Sequence, residues 1–307
     1  MEYVRLGRSG LVCSIVGLGG GSSGRFGLKK GGTRSDAIRL IRTALDHGIT
    51  FFDGAGLSGG VDALLAEGLA DRRQDVVLST KVHLGHDPIP FTNMKLANRT
   101  SSWIARRFGS VCSGPALRKR VEQTLRTLRT DRIDVLHLHA VSFRQYSLAV
   151  SKVLPELLKL KDEGKLGAIG VTEAFLSDPN HEMLRAASAD AHFDVIMVGF
   201  NISNSSAAEF VLPTAKKAGV GVLGMFALRQ LFDTAGASDL NRVAQDAGIS
   251  LSELAYRYCR HQPGIDVVLT GTGDPAHLRQ NIRAAHAPPL PDSVLAELHQ
   301  ATASTRK

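Results

Sequence analysis

Short apolar runs recur along the chain, and each is followed by a stretch with helical spacing. The runs are CSIVGLG (13–19), ITFFD (49–53), DVVLSTK (75–81), IDVLHLH (133–139), GAIGVT (167–172), FDVIMVGFN (193–201), GVGVLGM (219–225) and IDVVLTG (265–271). Most do not alternate apolar with polar residues, which predicts parallel strands covered on both faces. Between them apolar residues return every three or four positions, as in RSDAIRLIRTALDHG (34–48), GPALRKRVEQTLRTLRTD (114–131), SLAVSKVLPELLKLKDEGK (147–165) and SAAEFVLPTAKKAG (206–219). Gly48, Gly164 and Gly219 stand where a helix should stop and a strand begin. Eight such β-then-α units, with no break in composition, predict one (β/α)8 barrel over residues 1–307. A doubly wound sheet is the alternative. It uses fewer strands and an early G-x-G-x-x-G turn that opens a helix, whereas GLGGGSSGRFG (17–27) is Gly-rich with no helix directly behind it.

Two segments exceed the repeat. Residues 82–113 form a long insert after the third strand and contain the only tryptophan, Trp103. Residues 239–262 hold an additional helical pair before the eighth strand. An insert after a barrel strand stands over the face where barrels carry their chemistry.

Composition narrows the partners. No apolar run approaches the roughly 20 residues of a membrane helix. The start, MEYVRLGRSG, has no apolar signal region, so a cytoplasmic location is expected. Cys13, Cys112 and Cys259 are widely separated, which suits free thiols in a reducing compartment. The net charge of +8 is spread along helices, as on a solvated surface, so neither nucleic acid nor membrane is expected as a partner.

In a barrel the reactive groups come from the C-terminal ends of strands. Those ends carry Asp53, Lys81, and His137 with His139, followed by Thr172 and Glu173, then Asn201, then the Gly-Thr-Gly turn 271–273. Adjacent strands lie about 5 Å apart, so acid, ammonium and imidazole from three consecutive strands converge. A carboxylate beside an ammonium keeps it charged. The cation then stabilises an oxyanion on a carbonyl, and an imidazole orients that carbonyl or passes it a proton.

Several motifs together resemble the aldo-keto reductase family over nearly the whole chain: MEYVRLGRSGLVCSIVGLGGG, ALDHGITFFDGAG, LSTKV, LRTLRTDRIDVLHLH, KLGAIGVTEA and GTGDPAHLRQNI. The resemblance implies a (β/α)8 barrel with an N-terminal hairpin and extra C-terminal helices. It also implies a nicotinamide cofactor, NADP(H) rather than NAD(H), and hydride transfer at a carbonyl or alcohol carbon. Asp53, Lys81 and His139 match three of the family's four catalytic positions. The fourth, a tyrosine five residues after the aspartate, is Ser58 here. A serine hydroxyl is a far weaker acid than a phenol. Three substitutes follow: His139 as the acid, with a water held by Ser58; Tyr146, from the loop after the fourth strand; or an activity other than plain aldehyde reduction.

The resemblance also implies cofactor contacts at Thr172, Glu173, Asn201, Met225, Phe226, Leu228, Arg229, Gly271, Thr272, Gly273, His277, Arg279, Gln280 and Asn281. The family's Gln that holds the nicotinamide amide falls at Met197 here, the ring that often stacks on the nicotinamide falls at Met225 with Phe226 adjacent, and the usual base for the 2′-phosphate falls at His277, with Arg279 as a second source of charge. Arg99, Arg106, Arg107, Arg144 and Trp103 suggest a sugar-like or anionic small-molecule substrate. Two other classes remain open. One is a metal-dependent barrel hydrolase using His137 and His139 with Asp53, His83 and His86. The other is a cofactor-binding protein without turnover, or with redox-neutral chemistry. The chain alone does not give the oligomeric state.

Overall fold

Each of the eight apolar runs contributes one stave to a closed ring of parallel strands. The computed structural model describes all residues except 22–23, 57–59, 86–106, 191, 230, 232–236 and 306–307. The staves are β3 (Val16–Gly19), β4 (Phe51–Asp53), β5 (Val77–His83), β6 (Ile133–Val141), β7 (Leu166–Glu173), β8 (Val195–Gly199), β9 (Gly221–Met225) and β10 (Val267–Thr270), with β10 closing back onto β3. The doubly wound alternative is thereby excluded.

The expected first strand is two pieces. β1 (Tyr3–Arg5) and β2 (Val12–Ser14) form an antiparallel hairpin, and the chain turns a corner at Ser14 and Ile15 before entering β3. Ser14 makes that corner. Its amide donates to Thr50 Oγ1 and its Oγ accepts from Thr50 N, both at 2.9 Å, while Oγ donates to Val16 O at 2.6 Å. The hairpin closes the N-terminal end of the barrel, where Leu6 and Cys13 join the inner core of Phe51, Val77, Val135, Ala168, Val195, Leu223 and Val267.

Outside the ring, helical stripes cover the strands' other faces. Leu40, Ile41 and Ala44 of the helix Arg34–Asp46 and Leu117, Val121, Leu125 and Leu128 of the helix Gly114–Leu128 are buried against Leu78, Leu136 and their neighbours. Thr33 and Asp36 make a reciprocal capping box, and the Ser113 and Ser250 side chains accept from Ala116 N and Glu253 N at the starts of their helices. Each such cap is worth about 1 kcal/mol. The expected helix 147–165 runs instead as Phe143–Leu148, a π turn at Ala149–Val153, and Leu154–Asp162. The π turn comes immediately before Pro155, whose ring and missing N–H disfavour an uninterrupted α-helical ladder. The expected 206–219 helix begins only at Val211, after a short 3-10 turn at Ser206–Ala208. A second apolar cluster joins Leu240, Val243, Leu251, Leu254, Val294 and Leu298 from the helices 237–246, 251–260 and 292–305, which form the expected addition before β10 and at the C-terminus.

Candidate active site

The register decides which side chains share the lumen. Asp53 pairs with Ser79, Lys81 with His137, and His83 with His139. His137 pairs in turn with Gly170, and Thr172 with Met197. Alternate residues of a strand face one way, so the lumen toward the mouth has two halves. The β4–β7 half carries Asp53, Ser79, Lys81, His137, His139 and Thr172. The β8–β10 half carries Val195, Met197, Leu223, Met225 and Leu269, all members of the inner apolar cluster or packed on it.

Asp53 and Lys81 meet directly. Lys81 Nζ donates to Asp53 Oδ2 at 2.5 Å and to Gly54 O at 2.7 Å, and Ser79 Oγ donates to Asp53 Oδ1 at 2.9 Å. Both charged groups are buried, so each depends on the other to offset its lost hydration. His139 stands on the next stave, one inward position nearer the mouth than His137. Its Nδ1 lies 3.3 Å from Thr172 Oγ1, which also accepts the Ala140 N–H at 2.8 Å. The His83 and His139 rings meet edge to face with centroids 4.6 Å apart.

On the outward side of β5, behind this pair, lies an acid that the chain's motifs did not mark. Asp62, one residue into the helix Val61–Gly68, is buried; it accepts from Thr80 Oγ1 at 2.7 Å and from Ala55 N at 2.9 Å. Thr80 Oγ1 in turn accepts from Gly56 N at 3.1 Å. The turn after Asp53 is therefore pinned through its Ala55 and Gly56 amides. The available signal was an acid standing in the apolar stretch VDALLAEG, among residues that face the core.

Burial pushes the Asp62 carboxyl up to about 6, although Thr80, the Ala55 amide and the Lys81 charge favour the anion. The folded state thus holds this proton more tightly than the unfolded chain, where an aspartic acid titrates near 3.9. The resulting stability is complete below about pH 4 and is lost as pH rises through about 6, a change of roughly 3 kcal/mol. Asp62→Asn should therefore gain on the parent protein as pH rises from 4.5 to 7, by about 2 kcal/mol in urea unfolding. Equal differences at the two pH values would contradict the assignment.

Most of the proposed cofactor contacts fall into two groups. At the end of β9 the Phe226 ring lies 5.5 Å from the Phe175 ring, with the Arg229 guanidinium 4.5 Å from its centroid. Asn201 Nδ2 donates to Phe226 O at 3.1 Å, tying this turn to β8. Met225 is half-buried at the lumen edge, and Leu228 packs partly buried between the two core clusters. After β10, Gly271–Thr272–Gly273 leads into the helix Pro275–His286, where Asp274 Oδ1 accepts from Ala276 N at 2.7 Å, and Thr272 Oγ1 accepts from Asp274 N at 3.0 Å and donates to Asp274 O at 3.4 Å. A Cβ on Gly273 would lie 2.2 Å from Gly27 Cα, so the Gly-rich loop after β3 rests backbone to backbone on this turn. His277, Arg279 and Gln280 are exposed on the first turns of that helix.

Two residues of the expected set point elsewhere. Glu173 turns out of the lumen, with Oε2 at 2.7 Å from His181 Nδ1 and Oε1 accepting from Gly199 N at 2.7 Å. Burial raises its carboxyl, opposed by His181. Asn281 is buried and donates to Thr270 Oγ1 at 2.8 Å. Ser58, Trp103, Arg99, Arg106 and His86 lie outside the described residues.

Tyr146 does not reach the site. It sits between the helices Phe143–Leu148 and Glu182–Ala189, with its hydroxyl 2.6 Å from both oxygens of Asp190. The other three tyrosines are also engaged elsewhere: Tyr3 with Gly48 O, Tyr256 with Thr270 Oγ1, and Tyr258 stacked on Phe200. Among the described residues no three His, Cys, Asp or Glu side chains are placed to hold a metal ion, so the hydrolase alternative gains no ligand set there. No described helix is long and apolar enough to cross a membrane.

A barrel whose mouth holds a buried Asp–Lys pair beside a histidine agrees with the sequence comparison. The chain belongs to the Aldo/keto reductase family, which it matches over residues 16–303, and by that membership is an NAD(P)H-dependent oxidoreductase. It is similar to L-galactose dehydrogenase of Arabidopsis thaliana, with 27% identity over 305 residues, 92% of this chain and 88% of the relative. It is also similar to aldo-keto reductase YhdN of Bacillus subtilis strain 168, with 25% identity over 314 residues, 91% and 87% of the two chains. Its fold matches that of aldo-keto reductase AKR11C1 from Bacillus halodurans, with a TM-score of 0.74, 22% identity, and coverage of 98% and 96%.

Proposed function

We propose that this protein transfers hydride between NADP(H) and a sugar-like hydroxyl or carbonyl carbon, with His139 in place of the tyrosine that Ser58 replaces. The observation that carries the reading is the Lys81–Asp53 ion pair at the mouth with His139 on the adjoining stave. One domain, residues 1–307, carries the whole site, and the protein works in the cytoplasm.

The mouth offers a nicotinamide dinucleotide a matching set of groups. Arg229, seated on Phe226, and the N-terminus of the helix Pro275–His286 suit its phosphates. His277 and Arg279, exposed on the first turns of that helix, would pair with a 2′-phosphate and so favour NADP(H) over NAD(H). The apolar half of the lumen, with Met197 and Met225, suits a flat ring. When bound, the nicotinamide supplies or takes up hydride.

The chain's own residues manage the proton and the charge. Thr172 Oγ1, 3.3 Å from His139 Nδ1, orients the imidazole, and His139 exchanges a proton with the substrate oxygen. The Lys81 ammonium stabilises negative charge on that oxygen. In alcohol oxidation the imidazole takes the hydroxyl proton, and in carbonyl reduction it gives one back. The likeness to a sugar dehydrogenase points to the same substrate class.

Titrating the protein with NADPH and then NADH, followed by fluorescence, tests the reading. NADPH should bind about tenfold tighter, a difference of about 1.4 kcal/mol. A screen of aldoses, in both directions at 340 nm, should then give turnover. A flat titration with both cofactors would remove the proposal, while binding without turnover would favour a cofactor-binding protein.

A further inference from the structure

Opposite Lys81 on β6 stands a histidine that the reading above leaves without a role. His137 is fully buried, and neither ring nitrogen has a hydrogen-bond partner among the described residues. A neutral imidazole has one donor and one acceptor, so both remain unsatisfied in a site that excludes bulk water. Room for the ring is built into the neighbouring stave. Gly170 pairs with His137, and a Cβ on Gly170 would lie 2.3 Å from His137 Nδ1. Any other residue there would displace the imidazole, so glycine and histidine together place a polar ring in the lumen.

Lys81 is the nearest charged neighbour in the register, directly paired with His137. Its ammonium leans the other way, toward β4, giving one proton to Asp53 Oδ2 and one to Gly54 O. A third N–H remains, on the residue that the register sets opposite His137. Burial and the Lys81 charge both hold His137 neutral, which keeps one ring nitrogen an acceptor. The other ionisable groups that strand alternation turns inward beside this pair are Asp53 on β4, His83 on β5 and His139 on β6, while β7 contributes Gly170 and Thr172.

We propose that His137 is a positioning residue that holds an ordered water between its ring and the Lys81 ammonium, placed to hydrogen-bond the substrate oxygen. The water accepts the third Lys81 N–H and donates one proton to the acceptor nitrogen of His137. Its second proton faces the mouth. Buried waters of this kind make two to four hydrogen bonds to polar groups that would otherwise be unsatisfied. The role assigned to this water at the substrate oxygen rests on the hydride-transfer reading; the water itself does not.

A high-resolution crystal structure of the protein decides the first half. Density for a water within about 3.2 Å of a His137 ring nitrogen and of Lys81 Nζ is the expected result, and a dry space between them overturns the proposal. The second half is read from kinetics. His137→Leu should lower kcat about tenfold while leaving NADPH affinity within twofold, and His137→Gln, which keeps a polar end, should recover most of the loss. A Leu variant altered only in thermal stability would make His137 a core residue and refute the positioning role. Failure of NADPH to bind the parent protein would strike the hydride-transfer reading alone, with the crystallographic outcome still standing.

Discussion

Lys81→Met should lower turnover by about 10³-fold, at the upper end of what removal of one preorganised charge-stabilising donor costs. The same variant should be destabilised by about 3–5 kcal/mol, because it leaves the Asp53 carboxylate buried without its cation. The two effects separate in the double variant Asp53→Asn/Lys81→Met. Removing both charges should restore most of the stability, since the desolvation of a lone ion is gone, but none of the activity. Urea unfolding and steady-state rates on the three proteins check this. A double variant that regains turnover would mean that the pair is structural and the chemistry lies elsewhere.

Ser58→Tyr should raise carbonyl reduction by about 10²-fold, within the range assigned to general acid catalysis. The position lies five residues after Asp53 in the chain. None of the four native tyrosines supplies a phenol to the site: Tyr146 is held by Asp190, Tyr256 by Thr270, Tyr3 by Gly48, and Tyr258 is stacked on Phe200. With a phenol present, reduction should no longer depend on His139, so His139→Gln should cost much less in the Ser58→Tyr background than in the parent. Rates of aldehyde reduction in the four proteins form a double-mutant cycle. Additive effects would indicate that tyrosine and histidine do not share a task.

The staves of the barrel were legible because their apolar runs are nearly unbroken, as strands buried on both faces must be. Asp53, Lys81 and His139 were legible because ionisable residues at the ends of such runs have few other places to go. Finer features depended on geometry that chain order does not carry. Ser14 breaks the first run without any change in composition, since its side chain bonds both Val16 O ahead of it and the Thr50 and Phe51 amides at the start of β4. Glu173 follows Thr172, and strand alternation sends the second of two neighbours away from the lumen; the pairing with His181 and Gly199 N is its consequence. Asn281 sits three and four residues from buried neighbours on its helix, and that stripe faces the barrel, not the mouth. Asp62 escaped notice because a single acid in an apolar helix start looks like an N-terminal charge favoured by the helix dipole.

The most direct test of the account is a crystal structure of the complex with NADP+ and an aldose. The account predicts the nicotinamide over the apolar half of the lumen, with its C4 about 3–3.5 Å from the reacting sugar carbon and the sugar oxygen within hydrogen-bond reach of His139 Nε2. A dinucleotide whose nicotinamide lies outside the barrel mouth, or a sugar oxygen remote from both Lys81 and His139, would contradict it.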